Sequence, residues 1–216
     1  MANAETSFGL RPVGLAGAAT NSTGLNTYEI ASNNTNAIYQ YGLVTPTAAG
    51  VIDHAGATSG GTTAALGVLM GVKYHDSVQK KPVWLNYWPG SGAVSVDTNY
   101  PVEAVVADNP NQLFVVAADA TLTDRATALA GVFANASLGT SARSGSTANG
   151  RSTAQLNVAS IAVTATLPLR IVGLVDDEAN NDYASAGAHL LVRINAHYNA
   201  ATRRFDSQTT ADSTGT

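Results

Sequence analysis

The chain has 216 residues, 45% of them apolar and only 12% charged, with a net charge of −4 and no cysteine. The missing cysteines exclude a disulfide framework, a thiolate metal site and a cysteine nucleophile. With Lys73, Lys80 and Lys81 as its lysines and its arginines scattered, the chain has no basic stripe to neutralise phosphates, so no nucleic-acid partner is expected. A chain of this length buries roughly 70% of the surface its unfolded form exposes, so a real core is available. Charged residues stand at about half the usual ~25%. Mean hydropathy is nevertheless only +0.04, because Ser, Thr, Asn and Gln supply the polarity. No segment combines the charged and apolar regions of a signal peptide, and no apolar run approaches the roughly 20 residues of a spanning helix. The expectation is a chain made in a cytoplasm, with no membrane partner. The triplets beginning at Asn21, Asn33 and Asn135 match the glycosylation pattern by chance in that setting.

In chain order, residues 1–26 are rich in Gly, Ala, Asn and Thr, with Phe8, Leu10 and Val13 as apolar anchors around Arg11-Pro12, and predict an extended N-terminal arm. Residues 27–32 alternate, with Tyr28 and Ile30 on one side and Glu29 on the other, and residues 37–45 continue in β-branched and aromatic residues; both predict strands. Residues 55–63 predict a glycine-loaded surface loop between strands at 51–52 and 66–74. Gly67 and Gly71 inside the second of these predict a bulge or a close backbone approach. Trp84 and Trp88 fall in one short run closed by Pro89-Gly90, where large aromatics serve as core or interface filler more often than as a binding site. Residues 102–107 and 112–117 are apolar runs separated by Asp108-Asn109-Pro110-Asn111, and predict a hairpin. One short helix follows, with Thr123 as N-cap, Asp124 in its first turn and Gly131 near its end.

Residues 139–153 have no apolar anchor and predict a mobile or partner-contacting loop. Strands are expected at 161–166 and 169–175. Residues 188–198 alternate most clearly, with Leu190, Val192, Ile194, Ala196 and Tyr198 on a core face and His189, Leu191, Arg193, Asn195 and His197 opposite. Beyond Asn199 the chain reads as a polar tail. The division is therefore arm 1–26, β-rich domain 27–198 and tail 199–216. The expected fold is mainly β: an antiparallel sandwich or barrel with long loops, one short helix and an extended N-terminal arm.

Catalytic patterns are weak. A serine elbow needs glycines two before and two after the nucleophile; around Ser141, Gly139 is present but the second position holds Arg143. No phosphate-cradling loop and no His-Glu-x-x-His pair occurs. His189 and His197, eight residues apart on one strand face, would lie about 26 Å apart, too far for one metal. His54 and His75, beside Asp53 and Asp76, read as exposed loop residues. Asp176, Glu178, Asn180 and Asp182 alternate like calcium ligands, yet the glycine and glutamate places of a calcium loop hold Asn181 and Gly187, so a solvated turn is the reading. No catalytic residue, cofactor or metal ligand is assigned, and no enzyme is expected.

The ordered phrases Phe8-Gly9-Leu10-Arg11-Pro12-Val13, Tyr28-Glu29-Ile30-Ala31-Ser32, Leu66-Gly67-Val68-Leu69-Met70-Gly71-Val72-Lys73-Tyr74 and Asn86-Tyr87-Trp88-Pro89-Gly90 resemble a set of tailed-bacteriophage virion proteins encoded near the major capsid protein. The likeness continues through Asp108-Asn109-Pro110-Asn111 with Phe114, then Pro168-Leu169-Arg170-Ile171-Val172-Gly173-Leu174-Val175, and Val192-Arg193-Ile194-Asn195-Ala196-His197. The resemblance implies a capsid decoration, or cement, protein on the outside of the virion shell, made in the bacterial cytoplasm. Its implied partners are the major capsid protein and further copies of itself, as a homotrimer. Phe8, Leu10, Arg11, Pro12, Trp84 and Trp88 are the expected contacts with the shell or neighbouring subunits. An arm lying across a neighbour would make deletion of residues 1–13 weaken shell binding while the domain stays folded. The alternative reading is a tail or fibre-associated protein binding carbohydrate through Trp84 and Trp88, with Tyr87 between them. A small cell-wall hydrolase is a third, and would need converging carboxylates or a metal.

Overall fold

A computed structural model describes residues 3–5, 7–16, 25–55, 64–139, 143–164, 166–195 and 197–200. The elements run β1 (Arg11–Leu15), β2 (Leu25–Ile30), β3 (Leu43–Pro46), β4 (Ile52–His54), β5 (Gly67–Asp76), β6 (Lys81–Leu85), β7 (Val102–Ala107) and β8 (Gln112–Ala117). After them come helix α1 (Arg125–Ala130), β9 (Asn135–Ala136), β10 (Gly145–Ser146), β11 (Arg151–Ser152), a single 3-10 turn (Val158–Ser160), β12 (Leu169–Leu174) and β13 (His189–Ile194). Among the described residues 41% are strand and 5% helical, so the fold is mainly β, as the alternation and turn residues predict.

Two bodies share the strands. In the first, β3, β4, β2, β7 and β5 follow one another, and β5 returns to pair with β3, which closes a five-stranded barrel; β6 extends it from β5. All pairings are antiparallel except β2 with β4, which meet in parallel at Ile30 and Ile52. Inward residues alternate along each strand, as Val102, Ala104 and Val106 do on β7, and fill the barrel with Ile30, Ile38, Leu69, Val72, Tyr74 and Trp88. The predicted irregularity at the two glycines of β5 is present: the register shifts between Leu69 and Gly71, and a Cβ on Gly67 would collide with the Ala107 carbonyl oxygen.

The second body is an antiparallel sheet in the order β1-β8-β13-β12-β9. Its inner face, with Phe114 and Val116 of β8 and Leu190, Val192 and Ile194 of β13, forms one core with Leu10, Leu43, Ala65, Val68 and Leu156. Val115 and Ala117 point the other way and are capped by Phe8. Counting only the twelve side chains of β8 and β13, period-two alternation suffices to assign each to a face.

Several expectations are corrected. The runs 102–107 and 112–117 are strands with the expected bounds, but they do not form a hairpin: β7 belongs to the barrel and β8 to the sheet. The intervening turn fails to reverse the chain because Asp108 is buried and tied to β2, accepting bonds from the Asn26 amide at 2.9 and 2.8 Å and the Tyr28 hydroxyl at 2.5 Å. The N-cap of α1 is Asp124, whose Oδ1 accepts from the Thr127 N–H at 2.7 Å, one residue later than expected. The described residues of 161–166 give only an isolated bridge from Ala162 to Asn135, and residues 37–42 only bridges at Ile38 and Gln40. The strand of residues 188–198 ends at Ile194, leaving Tyr198 exposed.

The described part of the insert is anchored after all. Gln40 and Gly150, then Ser152 and Gln40, exchange backbone bonds of 2.9 and 2.8 Å, and the Asn86 amide donates to the Asn149 carbonyl at 2.6 Å. Gly145 lies directly against the Tyr39 ring, which stacks on Tyr87 at 5.4 Å. An anchor of this kind uses the absence of a side chain, so no apolar pattern announces it. Residues 56–63 of the expected loop, 140–142 of the insert and the tail from 201 lie outside the described residues.

Candidate functional site

The N-terminal segment, where four of the six expected contacts lie, runs along its own chain. Leu10 is fully buried in the core between sheet and barrel, and Phe8 is 3% exposed, its ring edge-on to His189 at 4.9 Å and beneath the Arg11 guanidinium at 4.5 Å. Pro12 stands opposite Phe114 on the outer strand β1, and Arg11 pairs with Glu5 at 3.1 Å. Ahead of them, Asn3 donates to the carbonyls of Asp182 and Ala186 at 3.0 and 2.9 Å, and the Glu5 N–H donates to Asn180 Oδ1 at 2.8 Å. The described arm is thus held by its own chain.

The two tryptophans separate. Trp88 is completely buried in the barrel, edge-on to Tyr74 at 6.1 Å, with its indole N–H donating to the Asn34 carbonyl at 3.1 Å. Trp84 is 66% exposed on the barrel exterior, with Lys73 Nζ 5.6 Å from its ring centre. Period-two alternation cannot explain this, since four residues apart is the same parity. The strand ends at Leu85, and a bend at Asn86 and Tyr87 turns the chain inward before Trp88 bridges to Ile38. Of the six expected contacts, Arg11, Pro12 and Trp84 retain access to solvent; Phe8, Leu10 and Trp88 are enclosed. A carbohydrate face built on both indoles is not assembled, and Tyr87 is committed to Tyr39.

Trp84 lies on β6, which pairs with β5 on one side and, among the described residues, with nothing on the other. Pro82 lacks an N–H and Lys81 is charged and exposed, two features that discourage strand addition along this edge. Across the barrel exterior the register continues Trp84, Lys73, Glu103, Glu29. Lys73 bonds Glu103 Oε2 at 2.7 Å, so its ammonium is fixed between a carboxylate and the indole.

Histidines and carboxylates are absorbed by local structure. His54 is buried in β4, not exposed in a loop, because it occupies the inward position after Ile52; its Nδ1 lies 3.1 Å from the Ala55 carbonyl. His75 sits on β5, stacked against Tyr100 at 4.0 Å. Asp53 accepts from the Asn34 and Asn36 amides, and Asp76 from the backbone of Val78 and Gln79. In the acidic stretch the Asn180 amide holds the Asp177 carboxyl below its ordinary range, helped by the Ala179 N–H, and the Ser185 hydroxyl does the same for Asp182. Among the described residues no three His, Asp or Glu side chains gather as a metal site. A cleft of about 280 Å³ between the N-terminal segment and the β10–β11 hairpin is lined by Glu5, Ser7, Phe8 and Arg151. It falls just below the size range usual for ligand pockets, and Glu5 there is engaged by Arg11. No described helix is long and apolar enough to cross a membrane.

What fold and surface define together is a mainly β protein, a closed barrel joined to an antiparallel sheet, with an indole presented on the barrel's outer strand. Comparison with protein-family models, with curated proteins and with solved structures finds no match to this chain.

Proposed function

We propose that this chain is a non-enzymatic virion structural protein that decorates the capsid exterior and stabilises the shell by bridging neighbouring major capsid protein subunits. The observation that carries the reading furthest is Trp84. A large indole at 66% exposure is costly to leave in water and, with Arg and Tyr, belongs to the residues that dominate binding at protein interfaces. Its fixed lysine, and the edge that resists strand addition, favour a side-chain contact with a specific partner over indiscriminate pairing. The order of the phage-like phrases along the chain supplies the partner's identity. A surface poor in ions suits the role, since buried charges are expensive unless paired. The carbohydrate reading keeps a single ring, Trp84, and is the weaker of the two.

The test is binding of the purified protein to capsids that lack it, together with a reconstruction of the decorated particle. Density on the capsid exterior, and at least about tenfold weaker binding by Trp84→Ala, are expected. Density confined to the tail, or glycan-array binding abolished by Trp84→Ala without any capsid affinity, would overturn the proposal.

A further inference from the structure

Arg170 of β12 and Arg193 of β13 stand directly opposite one another in the antiparallel register, and both are half-buried. Like charges so placed repel, and a guanidinium drawn partly out of water requires acceptors in return. Among the described residues no carboxylate pairs with either arginine. Among the described residues the ion pairs are Arg11 with Glu5 and Lys73 with Glu103, and the Arg193 Nε is buried with no hydrogen-bond partner. Along the same row the neighbours are Leu113 on β8 and Asn135 on β9, neither of which carries charge.

Two exposed apolar side chains stand in the segments that flank β9 and its bridge partner. Phe133, two residues before Asn135, has a left-handed φ of 72° and is 69% exposed; Val163, next to the Ala162 that bridges to Asn135, is 92% exposed. A left-handed backbone is unfavourable for a phenylalanine, and here it holds the ring toward solvent. Arginines next to an exposed aromatic have the composition of an interface centre.

Complementary charge occurs on the same chain. Asp176 and Glu178, just past the end of β12, are exposed, and among the described residues neither carboxylate accepts a hydrogen bond, whereas Asp177 between them turns inward to Asn180. Arg170 lies near one end of β12 and Asp176 beyond the other, about 20 Å away at the rise of a strand. That separation prevents pairing within one subunit and places the two charges at opposite ends of one element.

We propose that a second copy of this chain docks its Asp176 and Glu178 carboxylates onto the Arg170–Arg193 pair of the first. Two forked guanidinium groups match two carboxylates in number and geometry. Because the two patches differ, the contact is head-to-tail and repeats from copy to copy, closing into a ring if the rotation allows. The contact is a property of the chain with itself and does not rest on the shell-binding reading.

Sedimentation of the full chain at low and high salt tests it. The wild type is expected to associate, about tenfold more weakly at high salt because salt screens the attraction between the carboxylates and the guanidinium groups that draws the copies together. Asp176→Arg with Glu178→Arg, both on an exposed turn, and separately Arg170→Glu with Arg193→Glu, are each expected to give folded monomers by circular dichroism. All four substitutions in one chain restore association. A monomeric wild type at low salt, a charge-reversed loop that assembles like the wild type, or a folded four-substitution chain that stays monomeric would overturn the proposal. Capsid binding measured on the same variants separates the two ideas: a monomeric variant that still decorates leaves the shell-binding reading intact, and an associating protein without capsid affinity defeats that reading alone.

Discussion

The Tyr28 hydroxyl donates to the Asp108 carboxylate at 2.5 Å, joining the middle of β2 to the residue at which the chain leaves the barrel for the sheet. Together with the Asn26 amide it satisfies a buried charge that would otherwise disfavour the crossing. Asp108→Ala leaves the half-buried Tyr28 hydroxyl without its acceptor, while the exposed Asn26 amide turns to water, and is expected to cost about 1–3 kcal/mol in urea unfolding. A loss below about 0.5 kcal/mol, the level of an ordinary surface change, would show that the crossing is held by other contacts.

The phenols give the alkaline limit. Burial, first of all, raises the pKa of Tyr28, Tyr74 and Tyr183 above 10.0, with Asp108 adding to the shift at Tyr28 and Asp76 at Tyr74. The folded state therefore holds these protons more tightly than the unfolded state. Their contribution is complete below about pH 10, the unfolded value, and is lost as pH rises through the folded values. Through these groups urea midpoints should not vary with pH near neutrality and should fall above about pH 10, with Tyr28→Phe reducing the slope.

On the acid side the sign reverses. Asp177 and Asp182, lowered by the amide and hydroxyl of their own turns, stabilise the loop that grips Asn3 and Glu5 above the ordinary carboxylate pKa. That stability is lost as pH falls through their lowered values. Hydrogen exchange at the Glu5 amide is expected to speed up on acidification before the core strands do; simultaneous loss would mean that the segment has no separate stability.

The tryptophans should differ sharply. Trp88→Ala empties the barrel centre and is expected to cost about 3–5 kcal/mol, whereas Trp84→Ala should change stability by no more than about 0.5 kcal/mol. Thermal unfolding of the two variants checks this directly. Equal effects would contradict the opposite exposures of the two indoles.

At the N-terminus, deletion of residues 1–13 should destabilise the domain itself, not simply shorten its reach. Leu10→Ala alone is expected to cost about 2–5 kcal/mol, and the deletion also removes Phe8 from the outer face of the sheet. An unchanged melting temperature after deletion would refute this placement.

Much of the fold could be read from the sequence, because strand existence depends on local alternation and turn chemistry. β7 and β8 have the bounds expected of them, and the two glycines of β5 mark a real bulge and a real close approach. Pairing was hidden: nothing in Asp108-Asn109-Pro110-Asn111 reveals that a distant Asn26 and Tyr28 claim its aspartate. The candidate surface was legible only in part. Trp84 and Trp88 have the same parity along the run, and a two-residue bend decides which one faces water. The Arg170–Arg193 pairing depends on the register between β12 and β13, which no local pattern specifies.

The barrel draws β2 to β7 from one contiguous stretch of chain, whereas the sheet combines β1 from before that stretch with β8, β9, β12 and β13 from after it. During synthesis, every barrel strand has been made once Ala107 is added, while the sheet waits for Ile194, a delay on the order of ten seconds at ordinary translation rates. For most of that interval β1 and β8 are both made, but β8 still lacks β13 on its other edge. The β1–β8 pair is therefore an unfinished sheet until β12 and β13 are made, and the core around Leu10 is completed only when Ile171, Leu190 and Val192 join it.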